Sequence, residues 1–181
     1  IIHINYMPID STKDFKPINV SVLTISDTRT EATDKSGQIL AKKIKEKGHG
    51  LAHKVIVKDE KEEIKKILLE WCNDKDVDVI LTTGGTGLTG RDTTPEALEE
   101  IKDKDIPGFG ELFRLISYKK IGASTIQSRA MAVLAKGTYV FALPGSSGAV
   151  TDAWEDILKY QLDSRFRPCN FIELIPRLNE K

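Results

Sequence analysis

The sequence predicts an α/β protein in which a mostly parallel sheet lies between two layers of helices. Segments rich in β-branched residues alternate along the chain with amphipathic segments of helical periodicity. Consecutive parallel strands need crossover connections of about a dozen residues, which helices normally supply. With 181 residues, the chain is long enough for one domain with a sizeable core and no disulfides.

The first half of the chain predicts three strands separated by two helices. In order, these are a strand at 18–26, a helix at 36–47, a strand at 51–58, a helix at 60–72 and a strand at 77–83. The strands are rich in apolar residues, many of them β-branched, and the helices carry apolar residues at intervals of three and four. Gly48 is suited to end the first helix, because glycine readily adopts the left-handed conformation of a C-cap.

The second half predicts three further helices and a hairpin. In order, these are a helix at 95–102, a helix that begins at Pro107, hairpin strands at 131–135 and 138–143, and a helix from 149 to about 162. Thr94 is the expected N-cap of the first of these helices, with Pro95 at its first position. We expect residues 1–17 to form an extended arm and residues 18–163 the α/β domain. Residues 164–181 are expected to form a tail that packs on the body or at an oligomer interface.

The composition argues against nucleic acid and membrane partners. Lys plus Arg and Asp plus Glu each number 27, which leaves no net charge to attract a polyanion. No apolar run approaches the roughly eighteen residues of a membrane span, and the first residues lack the pattern of a signal peptide. Cys72 and Cys169 are far apart in sequence, so we expect reduced thiols and a cytoplasmic protein.

The most informative segment is a glycine loop at residues 82–95, with the sequence TTGGTGLTGRDTTP. It follows the predicted third strand and leads into a helix. Glycine allows backbone N–H groups to approach a phosphate closely, and the N-terminus of a helix carries partial positive charge. The glycine loop therefore predicts a binding site for a phosphorylated ligand.

Residues 85–90 also match G-x-G-x-x-G, a pattern typical of dinucleotide-binding domains. In those domains the pattern lies in the first strand–helix turn, whereas here a strand–helix–strand unit precedes it. No Gly-Lys-Ser/Thr follows the glycines, so the phosphate-binding pattern of many nucleotide hydrolases is absent. A nicotinamide-dependent dehydrogenase is accordingly a minor alternative.

Three predicted strand ends deliver polar residues to one edge of the sheet. They are followed by residues 26–37 (the first loop), by the glycine loop and by residues 144–148 (the late loop). Ligands of open parallel sheets lie beyond the carboxyl ends of the strands. We therefore expect the three loops to form one site.

Three carboxylates are candidates for chemistry. Asp92 lies beside the glycine loop, where an acid repels phosphate unless a cation intervenes, and Mg²⁺ binds through one or two carboxylates plus phosphate oxygens. Its alternative role is helix capping, with its charge neutralised by Arg91. Asp59 follows the second strand, where capping of the next helix is the favoured role. Asp27 either orients its neighbours or caps a turn.

The histidines offer no catalytic arrangement. His49 and His53 are four residues apart, but neighbouring glycines disfavour a helix that places them on one face, so a structural role is favoured. No Ser-His-Asp order and no Cys/His spacing typical of zinc is present. Trp71, Trp154 and Phe113 lie on apolar helix faces and are expected in the core.

Taken together, these motifs resemble the molybdenum-cofactor biosynthesis MoaB/MogA family. The resemblance is carried by residues 83–87, 91–96 and 143–145, with shorter segments at 24–27, 34–37, 107–109 and 128–130. It covers residues 18–175, nearly the whole chain. Residues 146–150 and 167–171 are more similar to the MoaB branch than to the MogA branch.

The resemblance implies a three-layer α/β/α fold that assembles as trimers or hexamers. It also implies transfer of AMP from ATP, with Mg²⁺, to molybdopterin, with release of pyrophosphate. Asp92 matches a carboxylate linked to catalysis in the family, and Asp59 matches a second acidic position; both are expected to act in catalysis and metal binding. The implied substrate-binding residues are Ser26, Asp27, Ser36, Gly37, Thr83, Gly84, Gly85, Thr86, Gly87, Ser128, Arg129, Pro144, Gly145 and Ser146.

This chemistry needs no strong general base, because a phosphate nucleophile is already ionised near neutral pH. The protein must instead position the reactants in line and neutralise charge at the ATP α-phosphate and the departing pyrophosphate. Candidates for that task are the N–H groups of the glycine loop, Mg²⁺ on Asp92 and Asp59, and Arg29 or Arg129.

The late loop departs from the family pattern. Ser146 and Ser147 follow its Pro-Gly, whereas relatives with established activity commonly carry a second proline two residues after that pair. This difference bears on the shape of the pterin pocket. A molybdopterin-binding carrier that does not transfer AMP is therefore the main alternative to the enzyme.

Overall fold

The computed structural model describes residues 9–180 of the chain. The strands are β1 (Asn19–Ile25), β2 (Gly50–Val57), β3 (Val79–Thr83), β4 (Lys104–Asp105), β5 (Met131–Ala135) and β6 (Thr138–Leu143). The helices are α1 (Lys35–Lys47), α2 (Lys61–Cys72), α3 (Thr94–Ile101), α4 (Pro107–Ile121), α5 (Ser147–Ala153) and α6 (Lys159–Gln161). A π-helical segment, Trp154–Leu158, joins α5 to α6, and 3₁₀ helices cover Gly122–Gln127 and Ile172–Arg177.

These strands form one sheet in the order β2-β1-β3-β6-β5-β4. β1 runs parallel to β2 and β3, and β3 runs parallel to β6. β5 runs antiparallel to β6, and β4, at the edge of the sheet, runs antiparallel to β5. In the hairpin turn, Lys136 and Gly137 both take positive φ angles, 50° and 84°, as a two-residue turn of type I′ requires. The predicted hairpin and mostly parallel sheet are confirmed.

Side chains of the sheet alternate between two apolar layers. On β1, Val20 and Val22 pack into the core that includes α1, α4 and α5, whereas Leu23 and Ile25 pack against α2 and α3. This alternation follows from the two-residue period of a strand, which sends successive side chains to opposite faces. Helices therefore cover both faces of the sheet, and the predicted three-layer α/β/α architecture is confirmed.

Several predicted helix boundaries differ from the observed ones. Thr93, not Thr94, is the cap residue of α3, and Thr94 lies in the first turn. The last predicted helix begins earlier, at Ser147, because the Ser146 hydroxyl oxygen accepts the N–H of Ala149 and caps α5. β4 was not predicted, since its two residues are too few to show a strand pattern.

The start of the described chain lies against the segment that follows α6. Ile9 forms an isolated antiparallel bridge with Phe166, and the N–H of Asp10 donates to the Arg165 carbonyl at 2.9 Å. Farther along the tail, Ile172 is buried in the core. Residues 1–8 of the predicted arm lie outside the described residues. None of the helices within 9–180 has the length and apolar character that a membrane crossing requires.

Candidate active site

A cavity of about 450 Å³ lies at the carboxyl ends of β3 and β6. Nine of the predicted site residues line it: Gly84, Gly85, Thr86, Gly87, Asp92, Ser128, Pro144, Gly145 and Ser146. The glycine loop forms one wall and the late loop another. This is the expected place for a ligand at the end of a parallel sheet.

The glycine loop needs its glycines for conformation and for space. Gly84 and Gly85 have φ angles of 103° and 63°, which side chains of L-residues rarely tolerate. The N–H of Gly84 donates to the Leu143 carbonyl at 3.0 Å, and a Cβ on Gly84 would overlap the carbonyl oxygen of Ile25. A Cβ on Gly145 would come within 3.2 Å of the Gly84 Cα. The backbones of the two loops are thus in close contact because neither carries a side chain there.

Threonine hydroxyls connect the two loops to their supports. The Thr94 hydroxyl donates to the Gly84 carbonyl at 3.0 Å, and the Thr94 N–H donates to the Gly85 carbonyl at 3.0 Å. Thr83 is buried, and its hydroxyl donates to the Pro144 carbonyl at 3.2 Å. Thr83, predicted to bind substrate, therefore joins the two walls from beneath and does not line the cavity.

Asp92 is the carboxylate of the cavity. Its Oδ2 accepts the N–H and the hydroxyl of Thr89, at 2.9 and 2.6 Å. The Thr89 hydroxyl is the main cause that holds the pKa of Asp92 below its usual range, so this side chain is ionised at neutral pH. Neutralisation of Asp92 by Arg91 is wrong: the Arg91 guanidinium instead contacts Asp27 and Glu60.

Asp59 lies beneath the glycine loop and is only 7% exposed. Its Oδ1 accepts both the N–H and the hydroxyl of Thr93, each at 3.0 Å. Burial raises the pKa of Asp59 above its usual range. The prediction that Asp59 caps the next helix is wrong, because Glu60 is the cap residue of α2 and the Asp59 carboxylate accepts the N–H of Thr93, the cap residue of α3. Its carboxylate does not line the cavity.

Arg129 braces the glycine loop from outside the cavity. Its Nε donates to the Gly87 carbonyl at 2.7 Å, and its Nη2 donates to the Asp92 carbonyl at 2.7 Å. Nη1 forms an ion pair with Glu96 in the first turn of α3. Each guanidinium nitrogen therefore contacts the protein, although the family resemblance placed Arg129 among the substrate-binding residues.

The first loop lies apart from the cavity wall. The candidates found there are Ser26, Asp27, Ser36 and Gly37, none of which lines the cavity. The Ser26 hydroxyl oxygen accepts the N–H of Arg29 at 3.1 Å and shapes a turn. The N–H of Gly37 donates to the Asp34 carboxylate at 2.9 Å, which caps α1.

One wall of the cavity was missed from the sequence. It comes from α4, the following 3₁₀ helix and the start of α5, and comprises Phe113, Ser117, Ile121, Ser124, Thr125, Gln127 and Ala149. Phe113 is buried as predicted, yet it also contacts the cavity. The run of small polar residues at 122–128 was an available signal for the rest of this wall.

The cavity wall carries little charge. Among the described residues that line it, Asp92 is the one charged side chain, and no lysine or arginine is present. The N–H groups of Gly85 and Thr86 donate to no acceptor within residues 9–180. An anionic ligand held here must rely on such backbone donors and on a cation.

The donor set fits Mg²⁺ through Asp92. Within the described residues, no group of three or more His, Cys, Asp or Glu side chains could hold a metal ion. Mg²⁺ differs from metals held in all-protein cages, because it keeps several waters and binds through one or two carboxylates plus substrate phosphates. A single ionised Asp92 in the glycine loop meets that requirement if a ligand supplies the phosphates.

Comparison with known proteins matches this chain to one family. Residues 21–164 match the family described as a probable molybdopterin binding domain. The chain belongs to the molybdenum cofactor biosynthesis MoaB/MogA family. The matched range runs from β1 to just beyond α6 and includes the whole cavity wall.

Two curated relatives and one solved structure that are similar to this chain carry the name molybdenum cofactor biosynthesis protein B. Molybdenum cofactor biosynthesis protein B of Escherichia coli K12 is 47% identical over 158 residues, covering 87% of this chain and 93% of that protein. The Bacillus cereus protein of the same name is 50% identical over 148 residues, covering 81% and 88%. A crystal structure of molybdenum cofactor biosynthesis protein B matches with a TM-score of 0.83 at 44% identity, covering 93% of this chain and all of that one.

Proposed function

We propose that this protein binds molybdopterin and transfers AMP from Mg-ATP to the molybdopterin phosphate, releasing pyrophosphate. The observation that carries the proposal is an ionised Asp92 on the same wall as the N–H groups of Gly85 and Thr86, which donate to no acceptor within residues 9–180. The described wall of this cavity has no lysine or arginine. Phosphate groups and a divalent cation are the ligands that complement this combination.

The reaction balances without an acid or a base from the protein. An oxygen of the molybdopterin phosphate attacks the α-phosphorus of ATP, and the bond from that phosphorus to the bridging oxygen of the β-phosphate breaks. Pyrophosphate leaves with the electron pair. The nucleophile is ionised because the second pKa of a phosphate monoester is about 6. No histidine is among the described residues that line the cavity, which agrees with this chemistry.

Charge neutralisation is assigned to Asp92 and to the backbone. Asp92 would hold Mg²⁺, which would supply positive charge to offset that of the ATP phosphates. Gly85 and Thr86 offer N–H groups on the same wall, and such fixed donors stabilise charge that develops in the transition state. Arg29 and Arg129 were candidates for this task, but Arg29 bonds to the Thr33 carbonyl and Arg129 to the loop.

The test measures adenylyl-molybdopterin and pyrophosphate from purified protein, ATP, Mg²⁺ and molybdopterin. We expect wild-type turnover and a loss of at least about two orders of magnitude in Asp92→Asn, because the neutral amide no longer holds the cation. Asp76→Asn, an exposed aspartate remote from the cavity wall, is the matched control and is expected to retain full activity. Tight molybdopterin binding without ATP consumption in the wild type would contradict the proposal and establish the carrier.

A homo-oligomer, trimer or hexamer, belongs to the same proposal. Helix α4 exposes four large apolar side chains, Leu112, Leu115, Tyr118 and Ile121. Apolar patches of this kind mark interaction surfaces more often than free ones. Ile121 also lines the cavity, so the surface and the site are continuous. Molybdopterin, ATP and further copies of the chain are the proposed partners, in the cytoplasm, where the free thiols Cys72 and Cys169 are stable.

A further inference from the structure

The peptide group that follows Asp92 is held from both sides. Its N–H, which belongs to Thr93, donates to Asp59 Oδ1 at 3.0 Å. Its carbonyl oxygen, which belongs to Asp92, accepts Arg129 Nη2 at 2.7 Å. Asp59 comes from the end of β2 and Arg129 from the segment before β5, so two distant parts of the chain meet at one peptide plane.

Each of these two residues is itself anchored. The N–H of Asp59 donates to Asp27 at 3.1 Å, and the guanidinium of Arg129 pairs with Glu96. The Arg129 Nε also donates to the Gly87 carbonyl, five residues before Asp92. One guanidinium therefore joins both ends of the 87–92 segment, which folds the Asp92 carboxylate back against Gly87.

Arg129 also joins two walls of the cavity. Its neighbour Ser128 lines the cavity next to the 3₁₀ helix, whereas Gly87 and Asp92, whose carbonyl groups accept from Arg129, belong to the wall formed by the glycine loop. A shift of the guanidinium would move one wall relative to the other. A misplacement of about 1 Å at a reacting group can cost about a hundredfold in rate.

We propose that Asp59 and Arg129 are positioning residues, which hold the backbone of Asp92 and the glycine loop in place without contacting metal or substrate. Only the activity readouts of this inference rest on the proposed adenylyl transfer. The role of Asp59 is to accept a hydrogen bond, and its charge is not required by a ligand. Arg129 acts because its planar guanidinium donates to two carbonyl groups at once, which the ammonium group of a lysine cannot reproduce.

Matched substitutions separate positioning from direct contact. Asp59→Asn keeps an oxygen that accepts the Thr93 N–H, and we expect kcat to fall less than about tenfold with Mg²⁺ half-saturation within about twofold of wild type. Asp59→Leu removes the acceptor and is expected to lower kcat about a hundredfold.

Arg129→Lys is expected to lower kcat at least about tenfold with KM for ATP nearly unchanged, and free guanidinium should partly rescue Arg129→Ala. Arg177→Lys, in a surface ion pair, is the control.

Two kinetic outcomes would overturn the inference. A rise of tenfold or more in the Mg²⁺ requirement of Asp59→Asn would make Asp59 a metal ligand. A rise in KM for ATP with unchanged kcat in Arg129→Lys would place the guanidinium on a phosphate.

Amide hydrogen exchange tests the positioning role without a measurement of activity. If the wild type makes no adenylyl-molybdopterin, the proposed function fails while the positioning inference is still tested by exchange across residues 86–93. We expect Asp59→Leu and Arg129→Gln to speed exchange there at least about tenfold, with Asp59→Asn close to wild type. Unchanged exchange in Asp59→Leu and Arg129→Gln would overturn the positioning role.

Discussion

Asp27 and Arg91 form a two-point ion pair that joins the first loop to the glycine loop. Arg91 Nε donates to Asp27 Oδ2 at 3.0 Å, and Nη2 donates to Oδ1 at 2.8 Å. Asp27 Oδ1 also accepts the N–H of Asp59. The first loop, which contributes nothing to the cavity wall, therefore supports the site through this contact and through Asp59.

The ion pair predicts that loss of Arg91 changes the pKa of Asp27 but not the pKa of Asp92. Arg91 is the main cause that lowers the pKa of Asp27, whereas Thr89 is the main cause that lowers the pKa of Asp92. In Arg91→Gln we expect the pKa of Asp27 to rise and that of Asp92 to stay unchanged, as measured by carboxyl NMR titration. The free energy of unfolding should change little, because the pair is about half exposed and solvent screens it. An equal rise at Asp92 would contradict this arrangement.

Loss of the Thr89 hydroxyl is expected to raise the pKa of Asp92. Thr89→Val removes the 2.6 Å hydrogen bond that favours the ionised carboxylate. Asp92 must be ionised to bind a cation, so we expect Thr89→Val to lose Mg²⁺ at a higher pH than the wild type, while Thr89→Ser binds as the wild type does. Carboxyl NMR titration and Mg²⁺ binding without nucleotide or pterin measure this, because the phosphate nucleophile, with a second pKa of about 6, controls the acid limb of activity. An unchanged pKa of Asp92 in Thr89→Val would contradict the role of this hydrogen bond.

Two glycines of the loop are expected to differ sharply in their tolerance of alanine. Gly84 has a φ of 103° and lacks room for a Cβ against the Ile25 backbone, whereas a Cβ on Gly90 meets nothing within 4 Å. Gly84→Ala should lower the free energy of unfolding by about 1–3 kcal/mol and abolish ligand binding. Gly90→Ala should change stability by less than about 1 kcal/mol. Denaturant unfolding of both variants checks this, and similar losses in both would contradict it.

The sequence was sufficient for those features whose signals are local. The glycine loop was predictable because a strand, a run of glycines and a capped helix follow one another within residues 77–102. The cavity wall at 113–127 was not, because only the packing of α4 across the sheet brings it to the loops. Its hydroxyl-rich sequence resembles that of an ordinary surface segment.

The partners of the charged residues were the least predictable part. Arg91 is adjacent to Asp92 in sequence, yet it reaches 64 positions back to Asp27. Asp59 precedes α2 but bonds to Thr93, 34 positions away. Such contacts are set by which strands are neighbours in the sheet, here β2, β1 and β3. Propensity and periodicity do not encode that order.

The burial of His49 predicts that the folded protein loses stability in mild acid. It is buried, and its Nδ1 accepts the N–H of Ile18 at 3.3 Å, which requires the neutral ring. Burial lowers the pKa of His49 from 6.5 to about 4. Between these pH values the unfolded chain binds the proton more tightly than the folded one, so stability is complete above about pH 6.5 and decreases as pH falls toward 4. The loss is on the order of 3 kcal/mol.

Denaturant unfolding at pH 7 and pH 4.5 measures this effect in wild type and in His49→Asn. The amide keeps an acceptor for Ile18 but does not titrate, so the variant should be less stable at pH 7 and lose less stability on acidification. His53→Asn is the control, since His53 is partly exposed and contacts Asp74 at the surface. The same acid loss in His49→Asn as in wild type would contradict the assignment.

The exposed apolar side chains of α4 predict the surface through which the chain assembles. Leu112, Leu115, Tyr118 and Ile121 follow one another at intervals of three, so each neighbours the next on the helix surface. Leu115 is 57% exposed, and its replacement by glutamate should leave the fold intact because little of its surface is buried within the chain. A buried, unpaired charge in the interface would instead prevent association.

Light scattering of size-separated protein tests this surface. We expect an oligomer for wild type, a folded monomer for Leu115→Glu and a wild-type oligomer for Leu174→Glu, in which an exposed tail leucine is replaced. Because Ile121 belongs to both the surface and the cavity, dissociation should also weaken molybdopterin binding. A monomeric wild type would contradict assembly altogether. An oligomer that survives Leu115→Glu but not Leu174→Glu would place the interface on the tail.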